Sequence, residues 1–217
     1  MTKYKIAIGT LVLIVIGLVT YIIYFIPQKP TAKKNFTSLE EHKSYAIKYG
    51  EDLEEAFGEL KFGMSEEEVN VTLAIMSKKK TIWKGKYDLF YIYQFKYDYQ
   101  MSYDIKMDIM PSFHNNKLYD VNLSLNNYKY QNVLSSELYK LIESYKLKYG
   151  TTGWYGEQSV DDYFNHYART FTLSRIDGNR MIEIYYSLLE KGGTLLSIQY
   201  TNLQVAVNAE NESFDDI

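Results

Sequence analysis

"YDLFYIYQFKYDYQMSYDIKMDI", residues 87–109, places an apolar or aromatic side chain at every odd-numbered position and mostly Asp, Lys, Gln or Ser at the even ones. A period of two is the pattern of a β-sheet with one face buried and the other in water. A single strand of this length would run about 75 Å, whereas strands usually hold about 3–10 residues. The chain therefore turns inside the stretch. Paired residues of an antiparallel hairpin share a face, so odd positions stay together only across a loop with an odd number of residues. The expected loop is Tyr97 to Met101, which sets Phe95 opposite Tyr103 and Tyr93 opposite Ile105. The odd face is then the concealed one. Phe90 and Ile92, the two apolar residues of the even face, are candidates for contact with a partner.

Helices flank this stretch. Either Thr37 or Ser38 finds a Glu three positions on, and Leu39, Tyr45, Ala46, Tyr49 and Leu53 follow at helical spacing. A second start lies at Ser65, where Glu66, Glu67 and Glu68 occupy the positive end of the helix dipole and Val69, Leu73 and Met76 form the buried stripe. A third helix begins near Ser135, carries Leu138, Leu141, Ile142, Tyr145 and Tyr149 on one side, and stops at Gly150. Leu118 to Leu125 reads as a strand, and three more close the domain, separated by Asp177-Gly178-Asn179 and by Gly192-Gly193. The order predicts an α+β domain, an antiparallel sheet with helices packed on one face. The second half repeats the helix-then-meander order of the first.

Ile6 to Ile26 is uncharged and long enough to cross a bilayer core of about 30 Å. It ends in Tyr24, Phe25, Ile26 and Pro27 instead of the small residues of a cleavage site, which predicts an uncleaved signal anchor. The expected organisation is a short tail at 1–5, a membrane span at 6–26, a linker at 27–36, the α+β domain at 37–205 and an acidic flexible tail at 206–217. The short N-terminal tail favours a cytoplasmic N-terminus and an extracytoplasmic domain, with the span holding membrane lipid.

The formal net charge of −3 excludes a general nucleic-acid binder, which needs a basic stripe. The chain has no cysteine, so disulfides, thiolate metal sites and a cysteine nucleophile are excluded.

In this setting "LKFGMSEEEVNVTL", residues 60–73, resembles the helix-start signature of the SmpA/BamE-like small bacterial envelope proteins. In that family a Gly-Met-Ser/Thr opening leads into an acidic helix and then a short antiparallel meander. The helix ending "KLKYG" and the strand "LLSIQY" are similar to those of envelope proteins built from this unit, and the related β-lactamase-inhibitor-like fold uses two such units in tandem. The resemblance covers residues 60–125. Two departures stand: the family's lipid-anchoring cysteine gives way to the apolar segment, and the Gly-Pro that commonly follows its second helix is replaced by Ala74-Ile75-Met76-Ser77. The resemblance implies a non-catalytic domain that binds other proteins of the cell envelope.

The motifs of chemistry are sparse. His42, His114 and His166 are too scattered for a helix-face metal pair, and neither a phosphate-cradling glycine loop nor a Gly-x-Ser-x-Gly elbow occurs. No cofactor is implied. Asp161, Asp162 and His166 are the one acid/base or metal grouping to weigh against a polar loop. The leading expectation is a membrane-anchored protein-binding domain that uses an exposed aromatic patch. The alternative is an extracytoplasmic ligand- or glycan-binding or hydrolytic domain, with Trp154, Tyr155, Tyr163 and Tyr167 stacking on a sugar.

Overall fold

A computed structural model describes residues 35–85, 91–95, 105–125, 135–156, 170–189 and 193–215. Along the chain these form α1 (Leu39–Tyr49), α2 (Glu66–Lys78), β1 (Trp83–Lys84), β2 (Tyr91–Phe95), β3 (Ile105–His114) and β4 (Lys117–Ser124). Then come α3 (Ser135–Tyr149), β5 (Trp154–Gly156), β6 (Thr170–Asp177), β7 (Arg180–Leu188), β8 (Thr194–Asn202) and α4 (Leu203–Asp215). The strands make one antiparallel sheet in the order β1-β2-β3-β4-β8-β7-β6-β5. Two successive helix-then-four-strand segments are thus joined through their last strands, with Val121 opposite Tyr200 and Leu123 opposite Ile198. The α+β, antiparallel expectation holds.

Among the described residues of the opening stretch, 91–95 and 105–109, the parity is kept, but the register is not the expected one. Tyr91 pairs with Ile109, Tyr93 with Met107 and Phe95 with Ile105, a shift of two residues that leaves odd opposite odd. Any odd loop length satisfies the alternation, so the pattern fixes the face and leaves the register open. The expected loop, Tyr97 to Met101, lies outside the described residues.

On the odd face Ile105, Met107 and Ile109 are buried, and Tyr91 and Tyr93 pack against the same core. Two helices cover it. α2 contributes Val69, Leu73 and Met76, and α3 contributes Leu138, Leu141, Ile142 and Tyr145. Each fully buried Leu, Ile, Val or Met stabilises by roughly 1.5–3 kcal/mol. The start of α2 is set by a reciprocal capping box: the Glu68 N–H donates to Ser65 Oγ at 3.3 Å, and the Ser65 N–H donates to Glu68 Oε2 at 2.8 Å.

Helices cover both faces of the sheet, which corrects the one-face expectation. Arg175 and Ile182 share the α2/α3 face, so their neighbours Ile176 and Met181 point to the other. There they meet Ala46 of α1 and Leu203 of α4 in a second, smaller apolar cluster. The acidic segment 206–217, expected as a flexible tail, is helical through Asp215. Its Val205, Ala206 and Val207 are half-buried, and charge composition alone did not reveal that apolar turn.

Among the described residues no helix is long and apolar enough to cross a membrane. The expected span, Ile6 to Ile26, lies outside the described residues.

Candidate functional site

A half-enclosed cleft of about 150 Å³ opens on the α2/α3 face, lined by Phe57, Tyr93, Ser144, Tyr145, Lys148 and Tyr200. It draws on the sheet, on α3 and on the loop between α1 and α2. Phe57 comes from the loop between α1 and α2, Tyr93 from the first meander, Tyr200 from the second, and the rest from α3. Helical spacing explains the last set, because Ser144, Tyr145 and Lys148 lie within one turn of each other on α3. Strand parity explains Tyr93 and Tyr200, which sit on the inward face of their strands.

The walls are aromatic. The Phe57 ring meets Tyr93 edge-on at 5.1 Å between centroids and lies tilted against Tyr200 at 5.6 Å. The Tyr149 ring lies tilted against Tyr145 at 5.8 Å between centroids, and the buried Tyr145 and Tyr200 hydroxyls are hydrogen-bonded to each other at 2.5 Å. A buried phenol needs such a partner. Burial pushes the pKa of Tyr145 and Tyr200 far above the ordinary phenol range, and it raises Tyr93 as well. These hydroxyls therefore stay neutral and serve as hydrogen-bonding groups. At the rim, the Lys148 ammonium sits 4.8 Å from the centre of the Tyr149 ring. Ser144 Oγ donates to the Lys140 carbonyl at 2.8 Å and keeps its lone pairs for an incoming donor.

The side chains singled out from sequence do not converge. Ile92 is half-buried on β2, on the sheet face opposite Tyr93. Trp154 and Tyr155 lie on β5, at the other edge of the sheet, six strand spacings or about 29 Å of sheet away. They also diverge from each other. Trp154 pairs with Arg175 and shares the α2/α3 face, whereas Tyr155 pairs with Ser174 and points to the α1/α4 face. The Trp154 indole donates to the Gly150 carbonyl at 2.8 Å and has the Arg175 guanidinium 5.8 Å from its ring centre. Both carboxylate oxygens of Asp177 hold that guanidinium, at 2.9 and 2.8 Å. The Tyr155 hydroxyl is hydrogen-bonded to His42 Nδ1 at 3.0 Å, and Phe36 stacks on the imidazole at 4.0 Å. Burial is the main cause that lowers the His42 pKa; Arg175 lowers it further and Asp177 opposes. Adjacent strand residues alternate faces, so Trp154 and Tyr155 cannot form one stacking platform. Phe90, Tyr163, Tyr167 and the Asp161, Asp162, His166 grouping lie outside the described residues.

Tyr145 and Tyr149 were legible as one side of a helix but not as part of a site, and Tyr200 was legible only as a strand residue. Two phenols four residues apart on an otherwise apolar helix stripe were the available signal, since buried hydroxyls seek each other. Among the described residues no group of three or more His, Asp or Glu side chains is placed to hold a metal ion. No family model matches the chain, and neither a curated protein nor a solved structure is similar to it.

Proposed function

We propose that this chain is a membrane-anchored, non-catalytic bacterial envelope protein whose α+β domain binds another protein in an assembly, scaffolding or inhibitory role. The observation that carries the reading is the chemistry of the tyrosine cleft: aromatic walls, neutral hydroxyls and one rim ammonium recognise a partner group. Among the described residues its lining offers neither a carboxylate nor an imidazole to activate water. The apolar segment Ile6–Ile26 supplies the anchor in lipid, with the N-terminus cytoplasmic and the domain extracytoplasmic. The resemblance of residues 60–125 to SmpA/BamE-like proteins points the same way.

Two experiments test this reading. C-terminal reporter fusions map the topology, and a reporter active only in the cytoplasm removes the extracytoplasmic assignment. A photo-crosslinking residue at exposed Leu147, next to Lys148 on α3, is expected to capture one partner protein in cells, with a matched residue at exposed Val71 on α2 as the control. Equal capture at both positions, or none, overturns the cleft as the contact point.

A further inference from the structure

We propose that the cleft between Tyr93, Tyr145 and Tyr200 receives the C-terminal aromatic residue of a partner protein, its ring inside and its terminal carboxylate on Lys148. This rests on the protein-binding function proposed above and names the chemistry that is bound. Size comes first. At about 150 Å³ the cleft matches one six-membered ring, since an apolar cavity of about 150 Å³ takes up a benzene molecule. Its walls come next, because the Phe57, Tyr93 and Tyr200 rings are already arranged edge-on and tilted. A further ring extends that packing in the same geometry.

Charge and polarity fix the orientation. Among the described residues of the lining Lys148 is the charged one, exposed at the rim, so an anion belongs at the mouth and the uncharged ring belongs inside. The Lys148 ammonium at the mouth repels a second cation, so an incoming ammonium is disfavoured. Ser144 lies one turn before Lys148 on α3, and its Oγ accepts a hydrogen bond while donating to Lys140. An N–H next to a ring-bearing carbon and a carboxylate is the pattern of the last residue of a peptide. Its carboxylate meets Lys148, its amide meets Ser144 and its side chain fills the cleft.

The test titrates the full chain in detergent micelles with N-acetylphenylalanine, its C-terminal amide, N-acetylalanine and 3-phenylpropionate, read by calorimetry and saturation-transfer NMR. N-acetylphenylalanine is expected to bind saturably, and the amide about tenfold more weakly through loss of one charge-assisted contact. N-acetylalanine should not bind. Lys148→Gln should abolish the preference for acid over amide, and Ser144→Phe, which fills the cleft, should abolish both. Leu147→Gln, on the exposed side of α3, should change nothing. Circular dichroism confirms that each variant folds.

Failure of N-acetylphenylalanine to saturate the wild-type chain overturns the proposal, as does an unchanged affinity in Lys148→Gln. Tighter binding of 3-phenylpropionate, which has no amide, assigns the site to a free aromatic acid and overturns the partner terminus. Partner capture at Leu147 without binding of the acid sinks this inference alone. Binding of the acid without partner capture leaves a cleft for a free N-acylated aromatic acid and overturns the partner terminus together with the protein-binding function.

Discussion

Two tight turns close hairpins at the same end of the sheet, Asn115-Asn116 between β3 and β4 and Gly178-Asn179 between β6 and β7. Both contain asparagine, and the loop at residues 50–64 bonds the second turn at Asn179 and the strand leaving the first at Leu118. Their environments differ. Asn115 and Asn116 are exposed, each with positive φ, and Asn116 Oδ1 accepts one bond from the Glu66 N–H at 3.2 Å. Asn179 is fully buried. Its side chain accepts from the Leu53 N–H at 2.9 Å and donates to Asp52 at 2.8 Å, while its backbone bonds Glu51 and Leu203. Beside it, Gly178 takes φ +56° with Glu51 O only 2.4 Å from where a Cβ would stand, so only glycine fits. A turn residue becomes an anchor when the rest of the chain closes over it.

The largest predicted effect breaks that comparison if it is absent. Asn179→Ala should lower stability by about 2–4 kcal/mol, because it removes two side-chain bonds and leaves the Leu53 N–H without its acceptor. Asn116→Ala should cost about 1 kcal/mol, mostly for left-handed backbone without asparagine. Urea unfolding of the full chain measures both, and equal losses would show that the two turns play the same part.

Next come the two helices of the α2/α3 face, one burying Met76 and the other Tyr145 in its last turns. Tyr200→Phe should cost about 1–2 kcal/mol, since it removes the buried hydrogen bond between the Tyr145 and Tyr200 hydroxyls. The same unfolding experiment reads it, and a neutral result would mean that the hydroxyl pair contributes nothing to the second half.

The capping box sharpens the comparison from the first half. Ser65→Ala should cost about 1 kcal/mol at neutral pH. Bonds from the Ser65 backbone N–H and hydroxyl hold the Glu68 carboxyl below its ordinary range. A depressed carboxyl contributes stability above its unfolded pKa and loses it as pH falls through the folded value. The difference between wild type and variant should therefore shrink in acid, which unfolding at neutral pH and at about pH 3 checks.

The smallest effect lies at the seam between the halves. On β4 the buried Asp120 accepts from Gln199 at 2.8 Å and Thr201 at 2.7 Å on β8, and burial raises its pKa despite those bonds. A raised carboxyl contributes stability below its unfolded pKa and loses it as pH rises through the folded one. Asp120→Asn keeps an oxygen for both donors and removes the charge. It should gain up to about 1 kcal/mol at neutral pH, together with a flatter pH profile in thermal unfolding.

What was legible beforehand was local. The period of two from Tyr87 to Ile109, the Ser65 capping box and the Asp177-Gly178-Asn179 turn all act within a few residues, so composition and spacing expose them. The register of β2 on β3 was missed by two residues, because every odd loop gives the same alternation. The helical fate of 206–215 was missed because its apolar side, with Leu203 and Val205, is short and needs α1 and β6 to cover it. The cleft was invisible as a site for the same reason. Phe57, Tyr93, Tyr145 and Tyr200 are far apart in the chain and each looks like ordinary core.

By itself the sequence determined which residues turn inward, where the helices α2 and α3 begin and that the sheet is antiparallel, because these follow from side-chain periodicity and backbone capping. Tertiary structure alone decided that the halves join through β4 and β8, that helices cover both faces and that Asn179 is an anchor while Asn116 is not. It also decided that four separate aromatic residues share one cleft. Those outcomes depend on contacts between distant segments, and burial belongs to the packed chain and not to any residue in it.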